Sequence, residues 1–176
     1  MQNTQGLDFS NRIEDSDAGR YLTFFTDGQM FGISTSAVVQ IVGLQDIIRM
    51  PDAPAYVKGV INLRGDVFPV IDMRLRLGHP EAPYNERTCI IVTQISGSAF
   101  GFIVDAVDEV RDISDAQISP PPKICCVPVN DYLTGIGRLE AVQGKQERMV
   151  LLIDAAHLLK KSELSALSLA VTAQSC

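Results

Sequence analysis

Tryptophan is absent from this chain of 176 residues, and histidine occurs only twice. No window approaches the 18 or so uninterrupted apolar residues of a membrane-spanning helix, so no span is expected. An excess of basic residues is also missing: 15 Lys and Arg stand against 21 Asp and Glu, a net charge of −6. With a pI near 4.8, the chain lacks the broad basic face that binding to a phosphate backbone requires. The first residues, MQNTQGLDFSNRIEDSDAG, have neither the basic start nor the apolar run of a secretory signal. Residues 1–19 read as a polar, acidic, disordered segment, and a cytoplasmic location is expected.

The patterns that carry catalysis or metal binding are missing too. Cys89, Cys125, Cys126 and Cys176 form no C-x-x-C pair and no zinc-finger spacing. A ring closed between the adjacent Cys125 and Cys126 would strain disulfide geometry. The cysteines therefore read as free thiols, with Cys89 a small apolar residue opening the run CIIV. His79 lies in a Gly/Pro-rich linker and His157 in a helical pattern, neither with partners at ligand spacing. Gly135-x-Gly137 is followed by Glu140 where a dinucleotide fingerprint needs glycine, so it reads as a turn. There is no nucleophile elbow and no phosphate-cradling loop. No enzyme, metal or cofactor is expected. Ser119–Lys123, SPPPK, suits a stiff link.

What the chain does contain is an internal repeat. Leu22–Val42, LTFFTDGQMFGISTSAVVQIV, lies over the segment from Ile91, IVTQISGSAFGFIVDAVDEVR, at a constant offset of 69. Gly28 falls on Gly97, Phe31-Gly32 on Phe100-Gly101, Ala37-Val38 on Ala106-Val107, and Ile41 on Val110. Each copy reads as a strand, a glycine turn, a second strand, and a short segment leading to a third. Short runs rich in β-branched and aromatic residues favour strands over helices.

A second likeness follows each copy. FPVIDMRLRL (Phe68–Leu77) parallels VLLIDAAHLL (Val150–Leu159): a buried strand, Ile-Asp, then a helical start. Asp72 and Asp154 read as helix N-caps, where a carboxylate accepts from unpaired amides, and not as an acid/base dyad. The spacers differ, tight in GVINLRGD and longer in TGIGRLEAVQGKQERM, where a hairpin is expected to project near Gln143-Gly144-Lys145. Pro69 predicts an edge or bulged strand. About five short strands with a closing helix, present twice, suggest two small barrels side by side. The chain divides into residues 1–19, a folded unit over 20–160 with repeats starting near 21 and 89, a helix over 154–170, and a frayed tail over 171–176.

Arg64-Gly65-Asp66 spells an adhesion tripeptide, but that reading needs an exported protein. Asn62 and Arg64 in a tight turn would instead present a planar multi-donor group from a rigid base, of a kind enriched at protein–protein hot spots.

The stretches FGISTSAVVQIVG, IIRMPDAPAYVKGVINLRGDVFPVIDMRLRLG, GFIVDAVDEV and YLTGIGRLE…MVLLIDAAHLL resemble the CheW family of bacterial chemotaxis adaptors, from about Tyr21 to Leu159. The resemblance implies a mainly β fold: two SH3-like five-stranded barrels sharing a core, with short helices and a C-terminal helix. It also implies a non-enzymatic scaffold recruited to membrane chemoreceptor arrays. The implied partners are the regulatory domain of a CheA-type histidine kinase and the cytoplasmic tip of methyl-accepting chemoreceptors. An adaptor of a pilus-motility or other chemosensory pathway is the alternative. By motif position, Gly59 and Arg64 match partner-binding positions, Val38, Gln40 and Ile41 match a second contact segment, and Gly101 and Val107 match its counterpart in the second repeat. Asn62 joins them through its place beside Arg64. Gln40, Ile41 and Val42 depart from the family pattern of Glu, Ile and a charged residue.

Overall fold

In the computed structural model the described residues are 19–121, 132–140 and 146–159. The first copy of the repeat supplies β1 (Arg20–Thr26), β2 (Gln29–Ser34), a 3-10 turn at Thr35–Ala37, β3 (Val38–Gly43), β4 (Val57–Leu63), β5 (Asp66–Asp72) and the one-turn helix α1 (Met73–Arg76). The second supplies β6 (Cys89–Ile95), β7 (Ser98–Val104), β8 (Ala106–Asp112), the two-residue β9 (Ile118–Ser119), β10 (Leu133–Leu139), β11 (Arg148–Ile153) and α2 (Ala155–Leu158). The C-terminal helix shows only this first turn among the described residues. Residues 1–18, the hairpin expected at 143–145, Pro122 and Lys123 of SPPPK, and Cys125, Cys126 and Cys176 lie outside them.

The strands form two sheets, ordered β8-β1-β2-β11-β10-β9 and β3-β6-β7-β5-β4. Under the repeat, β3 corresponds to β8, β6 to β1, β7 to β2, β5 to β11 and β4 to β10, so the two orders are the same order. Each sheet takes its first two repeat strands from one copy and the last three from the other. A barrel made from each repeat alone, the simplest expectation, is therefore not what forms: the copies exchange strands.

Each sheet closes through the segment that follows its exchanged strand. After β3 the chain runs to Ile48, which bridges Val60 of β4 with both backbone bonds at 2.8 Å. After β8 it runs to β9, which pairs with β10. Glycine permits both closures. A Cβ on Gly59, which has a φ of +145°, would lie 2.0 Å from the Ile48 carbonyl oxygen. A Cβ on Gly135 would lie 2.8 Å from Ile118 and 3.1 Å from the Ser119 oxygen. Each glycine follows a bulge, at Val57/Gly59 and Leu133/Gly135, which turns the strand toward its closing partner.

Period-2 alternation divides the core into three. Ile90, Val92, Phe68, Val70 and Ile103 fill the five-stranded barrel. Met30, Val150, Leu152 and Ile113 fill the six-stranded one. The opposite faces of the same strands, including Leu22, Phe24, Phe31, Ile71, Ile91, Phe102 and Ile153, pack between the two. This shared layer is the common core expected from the sequence.

Asp72 and Asp154 cap α1 and α2. Asp72 Oδ1 accepts from the amides of Arg74 at 2.9 Å and Leu75 at 3.4 Å, and Asp154 Oδ1 from Ala156 at 3.0 Å. Asp72 is buried, and its second oxygen accepts from the Tyr84 hydroxyl at 2.8 Å. Burial and this bond push the Tyr84 phenol above its ordinary range. The caps start pseudo-equivalent helices that meet between the barrels, where the Arg76 guanidinium sits 5.7 Å from the Tyr56 ring and 5.9 Å from the Tyr132 ring. Arg76 Nε also donates to the Leu158 carbonyl.

Candidate protein-contact surface

Three hairpins turn on two residues with positive φ: Asp27-Gly28 (51°, 73°), Arg64-Gly65 (54°, 91°) and Ser96-Gly97 (51°, 81°). Positive φ at both central positions is the type I′ signature that suits strand twist. Asn, Asp and Gly enter this region readily, whereas a long side chain costs about 1–2 kcal/mol there. Arg64 is thus an unfavourable residue held at the tip of a rigid hairpin. Asn62 helps hold it, its Oδ1 accepting from the Gly65 amide at 2.9 Å. Arg64 is exposed and has no ion-pair partner among the described residues.

Seven of the eight candidate contact residues fall on the five-stranded barrel: Val38, Gln40 and Ile41 on β3, Gly59 and Asn62 on β4, Arg64 in the β4–β5 turn, and Gly101 on β7. Val107 lies on β8 of the other barrel. The structure brings Gln40 and Gly65, the second residue of the Arg64-Gly65 turn, to one cleft of about 520 Å³, lined also by Val39, Asp66–Pro69, Val92, Gln94 and Gly97–Phe100. Three candidates offer little surface. Val38 is 5% exposed in the shared core, Gly59 is covered by Ile48, and a Cβ on Gly101 would lie 2.8 Å from both Ile90 and Val70. Their side-chain positions serve packing. Ile41 and Val107 are half-buried against the shared core, and Val42 packs on the barrel interior.

Pro69 is not on an edge strand, as its chemistry suggested, because β5 lies between β4 and β7. It sits just outside the parallel β5–β7 ladder, which pairs only Val70, Ile71 and Asp72 with Gly101, Phe102 and Ile103. The bulge in this region belongs to β4. The β5–β7 ladder begins only after the residue that has no amide hydrogen to give it.

A second polar cluster has no counterpart in the repeat. Arg74 Nε donates to Asp105 Oδ1 at 2.8 Å, and Arg74 Nη1 to Asp27 Oδ1 at 3.1 Å. His79 Nδ1 lies 3.0 Å from Asp27 Oδ2, and the Asp27 amide donates to Asp105 at 2.9 Å. Burial works to raise the Asp105 pKa, but its hydrogen bonds from Arg74 and the Asp27 amide outweigh that and hold the carboxyl below its ordinary value. Ser96, Ser36 and Ala156 occupy the corresponding positions of the repeat, so no such pairing can form at the β6–β7 turn. No local pattern marks this cluster, because its members are 31 and 47 residues apart. Among the described residues no three His, Cys, Asp or Glu side chains form a metal-binding group, and no helix is long and apolar enough to cross a membrane.

The family model for the CheW-like domain matches residues 20–163. Chemotaxis protein CheW of Klebsiella aerogenes is 32% identical over 161 residues, covering 91% of this chain and 93% of that protein. Chemotaxis protein CheW of Rhizobium meliloti is 38% identical over 140 residues, covering 79% and 86%. The crystal structure of the scaffolding protein TtCheW from Thermoanaerobacter tengcongensis superposes with a TM-score of 0.71 at 28% identity, covering 82% of this chain and 94% of that one. The two-barrel architecture, the positions of the repeat and these matches agree: the chain belongs to the CheW-like family of non-enzymatic chemotaxis adaptors.

Proposed function

We propose that this protein couples the cytoplasmic tips of chemoreceptors to the regulatory domain of a CheA-type histidine kinase, through a contact strip on the five-stranded barrel. The observation that carries this reading is Arg64. A turn that would be more stable with Asn or Gly, and that Asn62 pins through the Gly65 amide, presents instead an exposed guanidinium with no ion partner among the described residues. Strain kept at an exposed position is a signature of use, and a planar multi-donor cation suits a protein surface. Gln40 across the cleft and the half-buried Ile41 extend the strip along β3. Two exchanged barrels suit an adaptor, since one rigid body can offer separate faces to two neighbours.

The test is titration of a purified CheA-type regulatory domain, and separately of receptor-tip fragments, against the protein and its Arg64→Asn variant. Asn suits the turn, so the variant stays folded, and association with at least one partner is expected to weaken about tenfold or more. Unchanged association with both partners would remove Arg64 from the interface. Failure of the unaltered protein to bind either would defeat the coupling reading.

A further inference from the structure

The repeat supplies an internal comparison for the cleft. In the six-stranded barrel the parallel ladder pairs Leu151, Leu152 and Ile153 with Phe31, Gly32 and Ile33. Under the repeat, Leu151 corresponds to Pro69 and Phe31 to Phe100, yet the five-stranded ladder stops one pair short, at Val70 and Gly101. The reason is chemical. Residues flanking a two-residue hairpin form a hydrogen-bonded pair, and such pairs alternate along antiparallel strands. Leu63 pairs with Asp66 and Ile95 with Ser98, so the backbone of Val67, Pro69 and Ala99 faces across the β5–β7 gap. The next parallel bond would run from the nitrogen of residue 69 to the Ala99 carbonyl, and proline has no hydrogen to give.

Side chains widen the gap. Met30 and Phe25 pack into the six-stranded barrel; their counterparts are Ala99 and Gln94, both lining the cleft. The five-stranded barrel is open where its mate is filled by a methionine and a phenylalanine. Its walls add Val39, Val67, Phe68, Val92 and Phe100. Arg64, next to the lining residue Gly65, has no ion-pair partner among the described residues, although Asp66 is two residues away.

We propose that this cleft receives an extended segment of a partner protein, inserting a methionine or phenylalanine side chain where Met30 and Phe25 lie in the other barrel. The open backbone groups of Val67 and Ala99 hold such a segment extended, in the manner of strand addition. A carboxylate beside its apolar anchor complements Arg64. This rests on the adaptor reading and names the chemistry the contact strip would recognise.

The test uses the full isotope-labelled chain and two capped hexapeptides. One has a central methionine next to glutamate; the other has alanine in place of methionine. The methionine peptide is expected to shift the amides of Val67, Ala99 and Arg64. Ala99→Met, which fills the cleft from within, should weaken that binding about tenfold or more without lowering the melting temperature. Pro69→Leu, which restores the donor, should do the same and carries the test if Ala99→Met fails to fold. Equal binding of the alanine peptide, or undiminished binding in the filled variants, would overturn the proposal. Shifts at these amides that grow with protein concentration alone would assign the cleft to a second copy and also overturn it. Kinase regulatory-domain association lost in Arg64→Asn but intact in Ala99→Met would remove this slot while leaving the adaptor reading in place.

Discussion

The two barrels share one strand order and two bulge positions, yet they use their equivalent surfaces differently. On the six-stranded barrel, the exchanged strand β8 reads AVDEVRD. Thr23 Oγ1 donates to the Glu109 carbonyl at 2.7 Å, Arg111 pairs with Asp108 and Glu109, and Arg74 and His79 tie down the β1–β2 turn. On the five-stranded barrel, β3 reads VVQIVG, the equivalent Ser96-Gly97 turn has no ion pair among the described residues, and Pro69 lines a cleft beside Gly65. A duplicated fold secures the scaffold twice over, so one barrel can spend its surface on internal pairing while the other stays available. The difference lies in side chains added to a common backbone plan.

The largest expected effect tests the closures. Gly59→Ala forces a Cβ against the Ile48 carbonyl at a φ few side chains adopt, and should destabilise by on the order of 3 kcal/mol or more. Gly135→Ala meets chiefly the flexible end of Ile118 and should cost only about 1 kcal/mol. Equal losses in thermal or denaturant unfolding would mean that the two closures bear alike on stability.

The next pair sits on the exchanged strands. Val38→Asp places a carboxylate in the shared core and should cost on the order of 3 kcal/mol. Val107→Asp, at the half-buried counterpart, should cost less, about 1 kcal/mol. Any loss of partner binding in Val38→Asp should track the unfolded fraction; a fully folded variant with impaired binding would return Val38 to the contact surface.

A smaller effect separates the two turns through pH. Because the folded-state pKa of Asp105 is depressed, its ionised form stabilises the fold above the unfolded value, and this contribution fades as pH falls through the folded value. Asp105→Asn should therefore melt below the unaltered protein at neutral pH, and the gap should narrow below the ordinary carboxylate value of 3.8. A pH-independent gap would remove the charge from the account. Smallest is Arg64→Asn, expected to leave stability unchanged or raise it by about 1 kcal/mol by relieving the left-handed conformation. A marked loss would show that Arg64 serves the fold.

Much of this was legible in the sequence. The offset of 69 located β1, β2 and β3 and their mates β6, β7 and β8, because glycine turns and apolar alternation are local signals. Ile-Asp before each helical start identified both caps. The exchange of strands was not legible: β3 pairs as readily with β6 as with β1 on pattern alone, since both present alternating apolar residues. The covered positions of Val38, Gly59 and Gly101 were hidden for the same reason, because burial of a given residue depends on which sheet crosses it. The cleft did leave a trace. Aligning the copies sets Ala99 against Met30 and Gln94 against Phe25, a loss of volume that becomes meaningful only once both are known to line equivalent barrels.

The most direct test of the central claim, that the five-stranded barrel carries the principal contact strip, is amide mapping of the labelled protein on adding the kinase regulatory domain. Perturbations are predicted at Gln40, Ile41 and Asn62–Asp66, with β8 and the Asp27-Gly28 turn unaffected. Perturbations confined to β8 and that turn would place the contact on the other barrel and contradict the account.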